Sequence, residues 1–208
     1  MVTKISPKDT NDAAAFIREQ RANPYKSWKG RCLELQRTAR GLPPIYPSAL
    51  SAALATPEED RVYHIADLRR GMVAYSDDPN DSNPYGHIYF IAGRDADGEV
   101  WTWSNDVDSV HNIGLVPLSF YKDNWGDNFQ FGAISLNGYD LLGNNGLPVA
   151  KPGHDFLGKN YADAIKNVKR AITYHKTTGN ARLVNGLKRD LIRMTLRYEK
   201  FQRDSKSL

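Results

Sequence analysis

The sequence contains a single cysteine, Cys32, which stands at the start of a predicted helix. One cysteine excludes an intramolecular disulfide framework, so a packed core must hold the fold together. The stretch from Trp28 to Arg40 predicts a helix after Gly30, where the backbone can turn tightly, and the sulfur is expected in the first turn. Because the positive end of a helix favours a thiolate, Cys32 is either a nucleophile or an ordinary small buried residue.

The length and composition predict one well-buried core and an accessory segment. The chain has 208 residues, of which 40% are hydrophobic and 25% are charged, as is typical of a soluble globular protein. No segment has the length and apolarity needed to cross a bilayer, and the first twenty residues lack the apolar run of a signal peptide. We therefore expect no secretory leader.

The positive net charge of +4 is concentrated at the C-terminal end. Residues 1–158 carry a net charge of −5, whereas residues 159–208 carry a net charge of +9. A segment of that charge favours anionic polymers such as cell-wall glycopolymer, nucleic acid or a phospholipid surface. A solvated helix face explains much of the same charge without any partner.

The order of the predicted elements indicates an α+β fold, with N-terminal helices packed on an antiparallel sheet. Helical patterns occur over 9–21, 32–40 and 48–54. Strand patterns occur over 72–75, 87–92, 99–104 and 110–118. The stretches 61–68 and 119–125 carry no clear pattern.

The C-terminal region predicts a basic helical hairpin. Apolar residues recur at helical spacing from Tyr161 to Ile172 and again from Leu183 to Tyr198, with a break at Gly179. We therefore divide the chain into a domain at 1–142, a Gly/Pro/Asn-rich linker at 143–158 and a basic two-helix extension at 159–208.

Nucleophilic catalysis by a thiol needs an imidazole to accept its proton and a third group to orient that imidazole. His87 opens a predicted strand directly after Gly86, and Asn105 and Asp106 close the next strand. Cysteine on a helix, histidine at a strand start and a polar residue on the adjacent strand can converge at one edge of a sheet. The weaker histidine candidates lie in a loop, a linker and a basic helix: His111, His154 and His175.

The choice of orienting residue rests on strand alternation. In an extended strand, Trp101, Trp103 and Asn105 share one face, and Ser104 and Asp106 share the other. We expect the tryptophan face to pack on the helix that carries Cys32, which favours Asn105 over Asp106 as the partner of His87. Asp106 stays an alternative, because a bulge or the strand end would change the face.

Aromatic residues close to Cys32 are candidates for a substrate-cleft wall. Tyr25 and Trp28 lie within seven residues of the cysteine. Core packing is the more common role for either ring taken singly.

A set of short motifs, in this order, resembles the CHAP and NlpC-like cysteine peptidases of the papain-like superfamily, above all members from actinobacteriophages. The motifs are Trp28-Lys29-Gly30-Arg31-Cys32-Leu33, Ile45-Tyr46-Pro47-Ser48-Ala49, Arg70-Gly71-Met72-Val73-Ala74-Tyr75, Gly86-His87-Ile88, Trp103-Ser104-Asn105-Asp106 and Leu136-Asn137-Gly138-Tyr139-Asp140-Leu141. The resemblance covers residues 10–142 and implies a papain-like fold. It implies Cys32 as nucleophile, His87 as general base and Asn105 or Asp106 as orienting residue.

The resemblance further implies a peptidoglycan hydrolase that cleaves peptide or amide bonds of the bacterial cell wall. Such a phage lysin or virion-associated enzyme would reside in the host cytoplasm before release to the wall, or in the virion. No metal or cofactor is expected, because the histidines are scattered and phosphate-loop and dinucleotide motifs are absent. The alternative is a non-enzymatic phage structural or binding protein that uses a papain-like shape and a basic docking tail.

Overall fold

A six-stranded antiparallel sheet forms the centre of the fold in the computed structural model of the chain. The structure describes residues 7–77, 85–107, 112–126, 128–143, 146, 148–150, 158–177, 179 and 181–206. The strands of the sheet are β1 (Arg61–Val62), β2 (Val73–Asp77), β3 (His87–Arg94), β4 (Val100–Asn105), β5 (Ile113–Pro117) and β6 (Asn128–Ala133). They are arranged in the order β1-β6-β2-β3-β4-β5.

A second, smaller sheet and a set of helices complete the described architecture. The small antiparallel sheet contains β7 (Ser135–Leu136), β8 (Tyr139–Asp140) and β9 (Val149–Ala150). The helices are α1 (Thr10–Ala22), α2 (Cys32–Ala39), α3 (Ala49–Ala55), α4 (Ser119–Trp125), α5 (Gly158–Thr177) and α6 (Ala181–Lys206). The α+β class predicted from the sequence is therefore confirmed, and the ambiguous stretch 119–125 is helix α4.

Strand alternation gives the central sheet two buried faces. On β3, Ile88 and Phe90 pack with the helices α1, α2 and α3, whereas Tyr89 and Ile91 pack with α4 on the other side. All four side chains are at most 1% exposed. A strand that is buried on both faces has a continuous run of apolar residues in its sequence, and residues 88–92 form such a run.

The C-terminal helices pack into the same core as the start of the chain. Val168 of α5 and Leu187 of α6 are fully buried in a cluster that also contains Leu33 of α2 and Ile88 of β3. Ser48, the N-cap of α3, donates a hydrogen bond of 2.5 Å to the buried carboxylate of Asp190 on α6. The hydroxyl and the carboxylate are both buried and are paired with each other, and this pairing fixes how α6 lies against α3.

Much of the predicted linker at 143–158 lies outside the described residues, and Val149–Ala150 within it forms β9. The division of the chain at residues 142 and 158 stays a prediction. No helix within the described ranges is long and apolar enough to span a bilayer.

Truncation of Leu187 tests whether α6 belongs to the common core. We expect Leu187→Ala to lower the free energy of unfolding by roughly 2–4 kcal/mol, because it leaves a cavity beside a fully buried side chain. The matched control is Ile192→Ala, which removes a side chain on the same helix that is 61% exposed and should cost under about 0.5 kcal/mol. Urea unfolding followed by circular dichroism measures both. An unchanged main transition in Leu187→Ala would show that α6 folds apart from the sheet.

Candidate active site

Cys32 is the first residue of α2 and lines a cleft of about 660 Å³. The walls of the cleft come from the loop before α2, the start of α3, the start of β3, Asp106 and one residue of α6, Arg193. Gly30 in the loop has φ 64°, a backbone conformation that favours glycine. The tight turn before Cys32 that the sequence predicted is therefore present.

The Cys32 side chain is half-buried, and removal of its thiol from water determines the protonation state. Burial raises the pKa of Cys32 to about 11, and the negative charge of Asp106 adds to this shift. Opposing hydrogen bonds from the backbone amides of Ile88 and Leu33 lower the pKa, but they do not outweigh the loss of water. The thiol of the free protein is consequently protonated at neutral pH.

His87, the first residue of β3, is held by a serine on the neighbouring strand. Its Nε2 lies 2.6 Å from Oγ of Ser104, and both residues are buried. Aromatic rings surround the imidazole, with centroid distances of 6.0 Å to Tyr89, 5.7 Å to Tyr121 and 5.0 Å to Trp125. Burial lowers the pKa of His87 to about 3, so the imidazole is neutral at physiological pH.

Asn105 and Asp106 contact the loop that leads into α2. The side-chain amide of Asn105 donates to the carbonyl oxygen of Trp28 at 2.9 Å. The backbone N–H of Gly30 donates to the two carboxylate oxygens of Asp106 at distances of 3.1 and 2.9 Å. Burial raises the pKa of Asp106, while the hydrogen bond from Gly30 and the charge of Lys29 oppose that shift.

The structure thus places Cys32, His87 and Asp106 on the walls of one cleft, with Asn105 buried behind it. Within the described part of the chain, the thiol and the imidazole make no hydrogen bond with each other. The amide of Ile88, the residue after His87, is the part of β3 that contacts the sulfur.

The expected pairing of Asn105 with His87 differs from the observed geometry. Trp103 does pack with Leu35 of α2, as strand alternation predicted, and Asn105 is on that same side. His87 is instead hydrogen-bonded to Ser104. The side chain of Ile88 faces the helices, so the side chain of its neighbour His87 lies on the other face of the sheet.

Neither predicted aromatic residue forms the cleft wall. Trp28 is fully buried in the cluster between α1 and the sheet, and its indole N–H donates to Gln20 at 3.1 Å. Tyr25 is 61% exposed and packs its ring on Trp28 with a centroid distance of 5.6 Å. Trp28 is therefore a core residue, since filling the space between helix and sheet buries its large apolar surface.

Among the weaker histidine candidates, His175 is the one that the structure describes. His111 and His154 lie outside the described residues, and His175 lies in α5, away from the cleft walls. Among the described residues, no group of three or more histidine, cysteine or acidic side chains could hold a metal ion.

Sequence reasoning missed two residues of the cleft region. The contact between Ser104 and His87 could have been predicted. When the alternation of side chains is worked out for β3 as well as for β4, the two residues lie on the same face of the sheet. Arg193 carries no local signal, since a contact over this sequence distance depends on how α6 docks.

Comparisons with known proteins add no relative. No protein-family model, curated protein or solved structure matches the chain.

The buried neutral imidazole predicts a pH-dependent stability. Since the pKa of His87 is about 3 in the folded protein and about 6.5 when unfolded, the unfolded state binds a proton first as pH falls. The stability contributed by the neutral imidazole is therefore complete above pH 6.5 and is lost between pH 6.5 and pH 3, by roughly 5 kcal/mol. We expect His87→Gln to show a shallower loss in urea unfolding, whereas His64→Gln, a change at an exposed histidine, should follow the wild type. Parallel curves for all three proteins would contradict the prediction.

The raised pKa of Cys32 predicts slow alkylation. At pH 8, iodoacetamide should modify the folded protein roughly a hundred-fold more slowly than the unfolded chain, because the thiolate is scarce. The rate should rise with pH toward an inflection near 11. Asp106→Asn removes a negative charge near the sulfur and should move the inflection to lower pH. Rapid alkylation of the folded protein below pH 8 would contradict the prediction, because it would show that the thiolate is abundant.

Proposed function

We propose that the chain is a papain-like cysteine hydrolase of the CHAP or NlpC type that cleaves peptide or amide bonds of peptidoglycan. One observation carries the proposal: Cys32, at the first position of α2, shares a cleft with His87 and Asp106. The packing of α2 on an antiparallel sheet agrees with the fold that the motifs imply. The wall substrate rests on the resemblance of those motifs alone.

The start of α2 supplies donors for a developing oxyanion. The first helical hydrogen bond runs from the amide of Leu35 to the carbonyl of Arg31, so the amides of residues 32–34 lie outside the helical pairing. Arg31 offers no side-chain cap. In the proposed reaction, the sulfur attacks the carbonyl carbon and amides of this first turn stabilise the negative oxygen.

The hydrogen bonds of Ser104 support one tautomer of His87. When the hydroxyl of Ser104 donates to the carbonyl oxygen of Asn105, 3.2 Å away, its oxygen accepts from Nε2–H of His87. This tautomer leaves Nδ1 with a lone pair. We assign Nδ1 as the acceptor of the thiol proton, and Ser104 as the positioning residue in place of Asn105 or Asp106.

Proton transfer accompanies attack in this mechanism. The thiol and the imidazole are both neutral in the free protein, so the nucleophile forms only when a substrate carbonyl is in place. The mechanism requires Nδ1 of His87 to reach the sulfur when substrate binds, so that it accepts the proton and gives it to the leaving amine. Water then hydrolyses the thioester, and the second product leaves as a carboxylate.

A second candidate is a non-enzymatic phage structural or binding protein with a papain-like shape. The observation that favours it is the resting site itself, because burial raises the pKa of Cys32 and no hydrogen bond joins the thiol to His87. In this case, the basic helices α5 and α6 would dock on a virion component, a wall polymer or another anionic polymer.

Loss of wall degradation on removal of the thiol tests the hydrolase. We expect Cys32→Ala to lower the release of soluble fragments from purified cell walls at least a hundred-fold, because it removes the nucleophile. The matched control is Ser27→Ala, a hydroxyl removed from the exposed loop before α2, which should leave the rate unchanged. Zymography and mass spectrometry of the fragments measure the rate and identify the bond.

The same experiment separates the two candidates. Circular dichroism first establishes that Cys32→Ala folds as the wild type does. A folded variant that degrades walls as fast as the wild type would refute the thiol mechanism. Wild-type protein that binds walls without degrading them would favour the non-enzymatic candidate.

A further inference from the structure

Helix α6 contributes a cation to the cleft that contains Cys32. Arg193 lines this cleft although it follows Cys32 by more than 150 residues, and its side chain is exposed to solvent. The cleft is therefore not built by residues 1–142 alone.

Two contacts one turn before Arg193 hold this part of α6 in place. Asp190, only 1% exposed, accepts the hydrogen bond of 2.5 Å from Ser48, which also lines the cleft. Arg189 donates to the hydroxyl of Tyr85 at 3.0 Å and lies over its ring at 5.9 Å. Residues three and four apart lie on the same side of a helix, so these contacts aim Arg193 at the cleft.

Among the described cations that line the cleft, Arg193 is one that no carboxylate neutralises. Arg31 forms an ion pair of 2.9 Å with Glu34, and Lys29 interacts with the carboxylate of Asp106. Within the ranges that the structure describes, no carboxylate lies within ion-pair distance of Arg193. A cation beside an open cleft attracts an anion, and the planar guanidinium matches a carboxylate.

We propose that Arg193 binds a carboxylate of the substrate, so that this cleft selects acidic peptides. The inference rests on the proposed hydrolase function, because it takes the cleft of Cys32 to be the substrate site. Arg193 acts in specificity and not in bond cleavage. A substrate that bears a free carboxylate near the scissile bond is held by α6, whereas the amidated form of the same substrate loses that contact.

A binding measurement on the folded Cys32→Ala protein tests this assignment without turnover. The probes are fluorescently labelled muropeptides released from purified walls, used as free acids and after carbodiimide-mediated amidation of their carboxylates. We expect Arg193→Gln, made in the Cys32→Ala background, to weaken binding of the acidic probe about tenfold by fluorescence anisotropy, and to leave the amidated probe unchanged. Arg193→Lys should restore part of the lost affinity. The matched control is Lys188→Gln, which removes an exposed cation of α6 outside the cleft wall and should change either affinity less than twofold.

The outcomes show whether the carboxylate site, the hydrolase proposal or both fail. Equal affinities of the acidic and amidated probes, equal losses in Arg193→Gln and Lys188→Gln, or no binding of either probe would overturn the carboxylate site. Wall degradation by wild-type protein is measured in parallel. If the walls stay intact while Arg193 still discriminates the probes, the hydrolase proposal fails and the carboxylate site stands. If the walls are degraded without discrimination, the hydrolase stands and this inference fails.

Discussion

The position of the thiol depends on hydrogen bonds between the end of β4 and the loop before α2. Asn105 holds the carbonyl of Trp28, and Asp106 holds the amide of Gly30. The carboxylate accepts from a backbone donor in a half-buried place, where such a bond is stronger than in water. Asp106 adopts φ 62° to make this contact, a left-handed conformation that aspartate tolerates better than most residues. Strand β4 therefore sets the residue at which α2 begins.

Burial at that position then determines the chemistry available in the cleft. Transfer from water disfavours both the Cys32 thiolate and the His87 imidazolium, so the free protein holds two neutral groups. An ion pair at rest would need a closer contact to offset the loss of hydration. The amides at the start of α2 are consequently more useful to an oxyanion formed during reaction than to a resting thiolate, whose burial they fail to compensate.

Local patterns predicted the helices around Cys32 and the strand that begins at His87, because periodicity and turn residues act over a few positions. The observed hydrogen bond of His87 differs from the predicted contact with Asn105, because strand alternation applied to β4 alone does not fix which way His87 of β3 points. Ile88 is apolar and turns toward the helices, which leaves His87 facing Ser104. The nearness of Trp28 to Cys32 in sequence makes it a candidate for the cleft wall, whereas burial in the core removes more of its large apolar ring from water. No local pattern could give Arg193, whose place depends on long-range docking.

The docking of α6 shows that the positive charge at the C-terminal end of the sequence is not all on a solvated surface. A net charge of +9 in residues 159–208 suggests a solvated tail, yet the charged residues of α6 divide by helix face. Asp190 is buried against Ser48, and Arg193 lines the cleft, whereas Lys188 lies outside the cleft wall. Part of the positive charge is thus held at a fixed place by packing. A fixed charge acts on a ligand in the cleft at short range, where salt screens it less than the outward-facing charges of the same helix.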